Sequence, residues 1–492
     1  MTFRELFRDR EVRWGGWDQG SAEIRMICCD SRKAEPDSVF FCLRGQRQDG
    51  RQFAGDAYLR GCRCFVTEGE LCLPPDATVY RCEDARREMA LLAARFFGHP
   101  ERRLNLVGIT GTKGKTTTAL MLRSLLARCG VHAAYIGSLG VMLPGERYST
   151  ENTTPDSIAL YGYLRKIETS GVNTVIIEVS SQAIACRRVL GLSFPLTVFT
   201  NLSRDHIGEG EHGSMEEYRR AKLSLFTELS CGKAILNGED EFGSLIFSER
   251  GGKDCVFYGN CKNSVLKVEN ILQTQQENRF CTEFLLISAD GAVKTRIPFA
   301  GRHYVMDFIA AHVAACELTG RSPIELAPYA EELSVEGRCE VIRVAGGGTF
   351  VIDYAHNGDS LRAALVGLRP YVQGRLFCLF GAVGERSQCR RWDMANVASA
   401  YADFSVITED NPGFEDSESI LREILEAFPD RERAMVIKDR ERAIRYLLEV
   451  SGPGDVVLLA GKGREGYQLC NGVKTPFSEP AILARYGGIL AT

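Results

Sequence analysis

Short continuous apolar runs alternate along this chain with segments whose apolar residues recur at helical spacing. Leu104, Leu106, Val107 and Ile109 make one such run and predict a buried strand. From Thr116 the period changes, and Ala119, Leu120, Leu122, Leu125 and Leu126 mark one face of a helix. Upstream, runs at 39–43 and 64–66 precede a helical stretch at 86–97, which Gly98, His99 and Pro100 terminate. Downstream, runs at 175–179 and 196–200 lead to a helical pattern over 218–226. The last section repeats one arrangement, with apolar runs at 350–352, 376–380, 404–408 and 456–460 and helix-like segments such as 360–368 and 420–428 between them. Strands apolar on both faces and separated by helices belong to a parallel sheet covered on each side. The pattern therefore predicts an α/β protein in three sections, 1–98, 99–335 and 336–492.

A chain of 492 residues exceeds what one hydrophobic core organises. With 45% hydrophobic and 25% charged residues and a net charge of −4, nothing favours a nucleic-acid partner, so any anionic ligand must be held by local groups. The first residues are too charged for a secretory signal, and no run approaches the ~18 apolar residues of a membrane span. A cytoplasmic protein without membrane insertion is expected. Eighteen cysteines without a C-x-x-C pair read as reduced, mostly buried thiols.

The chemistry concentrates where the run at 104–109 meets its helix. A strand, a glycine-rich turn and a helix start gather backbone N–H groups at the positive end of a helix, which suits phosphate. Gly108, Gly111, Gly114, Lys115 and Thr116 approach the Walker A pattern, except that two residues rather than four separate Gly111 from Gly114. In this reading Lys115 faces the terminal phosphates and the Thr116 hydroxyl ligates magnesium. Glu178 closes a run of valine and isoleucine, where an acid is costly without a partner; at the carboxyl end of a strand beside a phosphate loop it suits magnesium. Lys222 lies among apolar helical neighbours and, on spacing alone, reads as a lysine whose head reaches solvent. Asp30, Ser31 and Arg32, and the polar stretch 44–50, read by themselves as solvated turns. The four C-terminal runs end in polar loops at 353–356, 381–386, 410–413 and 461–465, which a parallel sheet would bring to one crevice.

The order of these motifs resembles the Mur ligases of peptidoglycan synthesis, and within them the MurE type. The likeness runs from Asp30 to Gly463 and rests on 110–117, 152–156, 178–181, 201–206, 218–222, 353–356 and 410–412. It implies an N-terminal α/β domain for the UDP end of the substrate, a central P-loop ATPase with a mostly parallel sheet, and a C-terminal Rossmann-like domain. It also implies ATP and Mg2+ as cofactors and a monomeric enzyme that adds the third amino acid to UDP-N-acetylmuramoyl-L-alanyl-D-glutamate through an acyl phosphate. On this likeness Lys115, Glu178, His206 and Lys222 are the catalytic set. Gly111, Thr112, Gly114, Lys115, Thr116 and Thr117 hold the nucleotide, with Arg338, Asp353 and His356. Thr116, Glu178, His206 and Lys222 hold magnesium, Lys222 as a carbamate. Asp30, Ser31, Arg32, Thr153, Thr154, Ser180 and Arg188 match positions for the UDP-muramoyl dipeptide, and Asp410, Asn411 and Glu465 positions for the incoming amino acid.

The sequence also departs from the family pattern. Members that take meso-diaminopimelate carry Asp-Asn-Pro-Arg, whose arginine pairs with the distal carboxylate; here the stretch is Asp410-Asn411-Pro412-Gly413. Diaminopimelate is then disfavoured unless Arg386 or Arg464 reaches in. Asp410, Glu415 and Glu465 would suit a cationic side chain, so L-lysine or a similar diamino acid such as ornithine is expected. The stretch 208–213 also resembles the lysine-type members. Gln182, Cys186 and Asp307 replace a histidine, a glutamine and an asparagine of the pattern, and no role is carried onto them. The alternatives are a paralogue acting on a related acyl acceptor and a nucleotide-binding scaffold without catalysis. The joint presence of Lys115, Thr116, Glu178, His206 and Lys222 favours the ligase.

Overall fold

A computed structural model describes residues 1–12, 21–45, 48–205, 207–208, 211–276 and 279–490; His206 lies outside them. The chain folds into two units, one of Met1–Ala119, Cys129–Leu236 and Asp240–Val256, the other of Leu120–Arg128, Asn237–Glu239 and Phe257–Thr492.

The first unit opens with the short helix α1 (Phe3–Leu6), whose Thr2 and Glu5 form a reciprocal cap. A parallel sheet follows, in chain order: β1 (Met26–Cys28), β2 (Ser38–Cys42), β3 (Cys64–Thr67) and β4 (Thr78–Arg81). Helix α2 (Ala54–Leu59) packs with it around Phe40, Phe65 and the thiols of Cys28, Cys42 and Cys62. Helix α3 (Ala85–Phe96) is capped by Asp84 and ends before Gly98.

The second sheet of this unit carries the phosphate loop. Its members are β5 (Asn105–Thr110), which leads into α4 (Lys115–Arg128), then β6 (Ala133–Gly137), β7 (Gly140–Leu143), β8 (Glu146–Tyr148), β9 (Thr174–Glu178), β10 (Phe194–Phe199) and β11 (Ser230–Asn237). The order is β11-β10-β5-β9-β6-β7-β8, with β11, β10, β5, β9 and β6 parallel. Helices α5 (Ser157–Thr169), α6 (Ser181–Ala185), α7 (Met215–Ser224) and α8 (Glu241–Glu249) connect the strands. Register aligns Ile109 with Glu178 and Thr110 with Phe199, so β5, β9 and β10 end at one level. Ligands of parallel sheets bind at such an edge.

In the second unit, after β12 (Cys255–Tyr258) reaches the unit boundary, β13 (Ser264–Gln276), β14 (Arg279–Ser288) and β15 (Gly291–Ile297) form an antiparallel meander. The helix α9 (Arg302–Thr319), buried along much of its length, and the short α10 (Pro323–Leu326) come next. The final sheet runs β20-β19-β18-β21-β17-β16-β24, built from β16 (Glu340–Val344), β17 (Thr349–Asp353), β18 (Leu376–Phe380), β19 (Phe404–Ile407), β20 (Ala434–Val436), β21 (Val456–Ala460) and β24 (Gly488–Leu490). Its core strands are parallel, and β16 pairs antiparallel with β17 and β24. Helices α11 (Gly358–Leu368), α12 (Gln388–Tyr401), α13 (Ser417–Glu426), α14 (Arg440–Val450) and α15 (Glu479–Arg485) accompany it, and β22 (Tyr467–Cys470) and β23 (Val473–Pro476) make a separate ribbon. Phe350, Ile352, Phe377, Leu379, Val406, Ile444, Leu447, Val457 and Leu459 form one core cluster.

Each apolar run of the sequence therefore became a strand, with bounds shifted by a residue or two. The thiols divide differently from expectation. All 18 cysteines are free, but Cys29, Cys72, Cys231, Cys389 and Cys470 are exposed. Among the described residues no helix is long and apolar enough to cross a membrane.

Helices α14 and α15 are tied by an ion pair between Arg440 and Glu479 at 2.8 Å, both side chains 1% exposed. Removing one member leaves a buried charge alone. Glu479→Ala should cost on the order of 3–5 kcal/mol in guanidinium unfolding of the whole chain, far more than the same change at the exposed Glu418.

Candidate active site

The turn after β5 is built around a carbonyl. Gly111 has φ +156°, and a Cβ there would stand 1.9 Å from the Thr200 hydroxyl, so only glycine fits. The loop is fastened to the end of β10. The Thr112 N–H donates to the Asn201 carbonyl at 2.8 Å, the Lys113 N–H to the Asn201 side chain at 2.9 Å, and the Thr200 hydroxyl to the Lys113 carbonyl at 2.6 Å. Lys113 reaches Asp205 at 2.7 Å. These bonds hold the backbone of 111–117 against the start of α4, the arrangement that cradles phosphate.

Two amines converge on the Gly111 carbonyl. Lys115 donates to it at 2.8 Å and to the Thr112 carbonyl at 3.0 Å. Lys222, on the buried face of α7 with Tyr218, donates to the same oxygen at 2.7 Å and is 1% exposed. The Lys222 head therefore does not reach solvent: its stem is too deeply enclosed for the ammonium to escape. Burial pushes its proton affinity far below the ordinary lysine range, and the neighbouring Lys115 charge pushes the same way; Asp205 opposes them. The Tyr218 ring lies 4.7 Å from the amine, and its hydroxyl meets the Thr112 hydroxyl at 3.0 Å.

Glu178, fully buried at the end of β9, faces the same loop. Its carboxylate accepts from the Thr116 hydroxyl at 2.9 Å, the Ser138 N–H at 3.1 Å, the Ser138 hydroxyl at 3.3 Å and the Tyr135 hydroxyl. All four donors are neutral groups. A buried carboxylate held, among the described residues, only by neutral donors, next to a phosphate loop, is a place for a cation. The hydroxyl of Thr116 and this carboxylate are the hard-oxygen donors that magnesium on a triphosphate requires, the rest of its shell being water and phosphate. Tyr135 and Ser138 were missed by the sequence reading; a tyrosine inside the apolar run of β6 was the available signal.

The residues matched to the UDP-linked substrate join this cluster. The Thr154 hydroxyl donates to the Glu178 carbonyl at 2.7 Å, and Arg188 donates to the Thr154 carbonyl at 3.0 Å. Ser180 caps α6, and Thr153 meets the Ser138 hydroxyl at 3.1 Å. Asp30 accepts from the Arg32 N–H at 3.0 Å and from its guanidinium at 2.9 Å, which holds the Asp30 carboxyl below the usual range, while Ser31 is buried beneath them. Arg32 carries a charge interaction with Glu151, so this turn lies towards the stretch that leads to Thr153. His206 and residues 209 and 210 of the 208–213 stretch lie outside the described residues.

In the second unit the four loops after β17, β18, β19 and β21 do meet. Gly384 donates to the Asn411 carbonyl at 2.9 Å and Gly461 to the Asp353 carbonyl at 3.1 Å. Lys462, fully buried, lies 3.3 Å from Asp410 and 3.6 Å from Glu465 and donates to the Asn411 side chain at 2.9 Å. Asn411 and Tyr354 in turn donate to Glu465 at 2.8 and 3.1 Å. Asp353 accepts from the Cys339 N–H at 3.0 Å and from the Tyr304 hydroxyl. The Arg338 guanidinium lies 4.6 Å over the Tyr354 ring, and His356 contacts the Tyr354 carbonyl at 2.8 Å.

Two expectations about charge need correcting here. Arg464 is held by Glu340 in a bidentate pair at 2.7 and 2.6 Å, so it does not reach towards Gly413. Glu415 accepts from Arg391 at 2.6 Å, and Asp410 and Glu465 face Lys462, so these three acids already have cationic partners within the protein. Lys462 was quoted in the sequence but given no role; burial alone reveals it. Gln182 does no more than approach the Cys186 sulfur at 3.6 Å, and Asp307 is buried within α9.

Comparison with known proteins fits this geometry. Three family models match successive stretches: the Mur ligase family catalytic domain over 23–97, the Mur ligase middle domain over 109–315, and the Mur ligase glutamate ligase domain over 337–463. The chain is 36% identical to a UDP-N-acetylmuramoyl-L-alanyl-D-glutamate–2,6-diaminopimelate ligase of Geobacillus kaustophilus, with 94% of each chain covered. It is 35% identical to the enzyme of that name in Pseudomonas aeruginosa, over 93% of each. A solved structure of a ligase of that name superposes with a TM-score of 0.67 at 27% identity, covering 99% of this chain and 98% of the other.

The burial of Lys222 has a testable cost. The unfolded chain keeps this proton up to about pH 10.4 while the native state gives it up, so the penalty is largest at low pH and fades as pH rises towards that value. Lys222→Met should therefore unfold at higher guanidinium than the wild type at pH 7, by on the order of 2 kcal/mol. Its advantage should shrink between pH 7 and pH 10.

Proposed function

The chain belongs to the Mur ligase family, and from that premise we propose that it joins a diamino acid to UDP-N-acetylmuramoyl-L-alanyl-D-glutamate at the expense of ATP. The observation that carries the proposal is Glu178, a buried carboxylate with only neutral donors among the described residues, set on the hydroxyl of Thr116 in a phosphate loop.

The chemistry requires a triphosphate and a carboxylate, both anions, to meet. Backbone N–H groups of Gly111, Gly114, Lys115, Thr116 and Thr117 bind the phosphates, with Thr112 held on Asn201 in the same turn, and the Lys115 amine, now on two carbonyls of its own loop, exchanges them for phosphate oxygens. Magnesium would be held by Thr116 and Glu178 and, when bound, would screen the two anions from each other. The side-chain carboxylate of the D-glutamate attacks the γ-phosphorus, ADP leaves, and the acyl phosphate is taken by the α-amine of the amino acid with loss of phosphate. Lys222 is suited to carbamylation: a neutral amine adds to carbon dioxide, releases a proton and becomes an anion, which with His206 would supply further ligands for the metal. Asp30, Ser31, Arg32, Thr153, Thr154, Ser180 and Arg188 hold the UDP-linked dipeptide, Arg338, Asp353 and His356 serve the nucleotide, and Asp410, Asn411 and Glu465 frame the amino acid. Although the named relatives take diaminopimelate, Gly413 offers no cation for a distal carboxylate, which favours L-lysine or L-ornithine here.

The test is phosphate release by the purified protein with ATP, Mg2+ and the UDP-linked dipeptide across L-lysine, L-ornithine, meso-diaminopimelate, L-homoserine, L-serine and L-alanine. Stimulation by a diamino acid is the expected result; no stimulation by any of them would refute the ligase. Thr116→Ala should lower kcat by about 100-fold, the scale of losing a pre-organised charge-stabilising contact. Lys222→Ala should be inactive and regain turnover with added short carboxylates; near-normal activity without them would exclude the carbamate.

A further inference from the structure

Strand register brings two loops of the C-terminal sheet to one level. Asp353, the last residue of β17, lies beside Ala460, the last of β21, and the Gly461 N–H donates to the Asp353 carbonyl at 3.1 Å. Tyr354 opens the first loop, and 461–465 form the second. The two are closely packed. Gly463 has φ +54°, and a Cβ there would stand 3.1 Å from the Tyr354 ring and 3.1 Å from the Gly337 carbonyl. The second loop is also tied down through the pair of Arg464 with Glu340, whose carboxylate accepts from the Gly337 N–H at 2.8 Å.

Tyr354 touches residues of two kinds. The Arg338 guanidinium lies over its ring, 4.6 Å from the centroid, and the His356 ring meets it edge-on at 5.0 Å. Both of these positions serve the nucleotide in the reading above. The Tyr354 hydroxyl donates to Oε1 of Glu465 at 3.1 Å, and Asn411 donates to Oε2 at 2.8 Å, with the Lys462 amine 3.6 Å from that second oxygen. Asn411 and Lys462 therefore orient one oxygen of the carboxylate, and Tyr354 orients the other. Burial pushes the phenol's proton affinity up, the Glu465 charge pushes the same way, and Arg338 opposes them. The hydroxyl thus stays a donor throughout the neutral range. Two carboxylate oxygens accept about four hydrogen bonds, and the Glu465 side chain is 23% exposed, so it can still receive an ammonium.

We propose that Tyr354 couples the two ligands, its ring held by the residues that serve the nucleotide and its hydroxyl holding the carboxylate that receives the amino acid. With a nucleotide seated, Arg338 and His356 are fixed, the ring they contact is fixed, and Glu465 is presented in one orientation. The amino acid then meets an acceptor that is already ordered, and by reciprocity it tightens the nucleotide by the same factor. Tyr354 is a positioning residue in this account. The coupling rests on the ligase reading above and adds to it a regulation of the same site.

The experiment is calorimetric titration of the full chain, loaded with the UDP-linked dipeptide, by an amino acid with and without ADP and Mg2+, a nucleotide that permits no turnover. The amino acid is whichever of L-lysine, L-ornithine and meso-diaminopimelate gives most phosphate release in the panel above. In the wild type ADP should tighten the amino acid by about tenfold, the scale of two coupled sites. Tyr354→Phe keeps the ring and removes the donor. It should bind ADP as the wild type does, weaken the amino acid, and lose most of the ADP effect, which a merely structural role would not do. Tyr354→Leu, which also removes the ring, should weaken ADP as well. A wild type without an ADP effect, a Tyr354→Phe variant that keeps the wild-type effect, or one that weakens both ligands equally, overturns the coupling and leaves the ligase standing. No phosphate release with any amino acid overturns both.

Discussion

One carbonyl oxygen, that of Gly111, accepts from the amines of both Lys115 and Lys222. Two full positive charges cannot share such a spot in a buried environment without a large cost, so the pair is stable only if one amine gives up its proton. Lys222 is the one enclosed by protein, and Lys115 is the one at the helix start where phosphate would lie. The rest of the site follows from this division. The loop must be glycine at 111 to bring the carbonyl there, and Thr200, Asn201 and Asp205 must clamp it from the end of β10. Glu178 stands on the far side of the helix start, holding Thr116 with neutral donors that leave its charge for a metal.

The parallel architecture was legible in the sequence because strands buried on both faces are written as unbroken apolar runs. Phe377 and Leu379, or Val457 and Leu459, point into one core while their neighbours fill the other side. The antiparallel parts were not legible. Strand β13 shows the alternate burial of a one-faced strand and carries glutamate, asparagine and glutamine, which periodicity alone does not separate from loop. The phosphate loop was readable because its glycines, lysine and threonine are tied to backbone geometry within a few residues. Lys222 was misread on spacing alone, since whether a lysine reaches water depends on what packs over it, and the Gly111 loop that receives its amine lies 111 residues away in sequence. Ser138 became visible only through its partners and Lys462 only through its burial, while Tyr135 had left a trace as a tyrosine within an apolar run.

Charge in the C-terminal crevice illustrates the same limit. By composition the loops look acidic, with Asp410 and Glu415 close in sequence to the glycine that replaces a cation and Glu465 in the loop after β21. In three dimensions Lys462 and Arg391 neutralise them, and these acids act first as anchors that fix the loops on each other. Likeness to diaminopimelate ligases at about a third identity sets the reaction class.

The central claim is that ATP activates a carboxylate by phosphorylating it. Oxygen-18 placed in the side-chain carboxylate of the D-glutamate follows that step directly. Transfer of one labelled oxygen into inorganic phosphate for each amide formed is the predicted outcome, since the carboxylate oxygen that attacked phosphorus departs with it. Label recovered in AMP, or phosphate released without label while amide accumulates, would contradict the account.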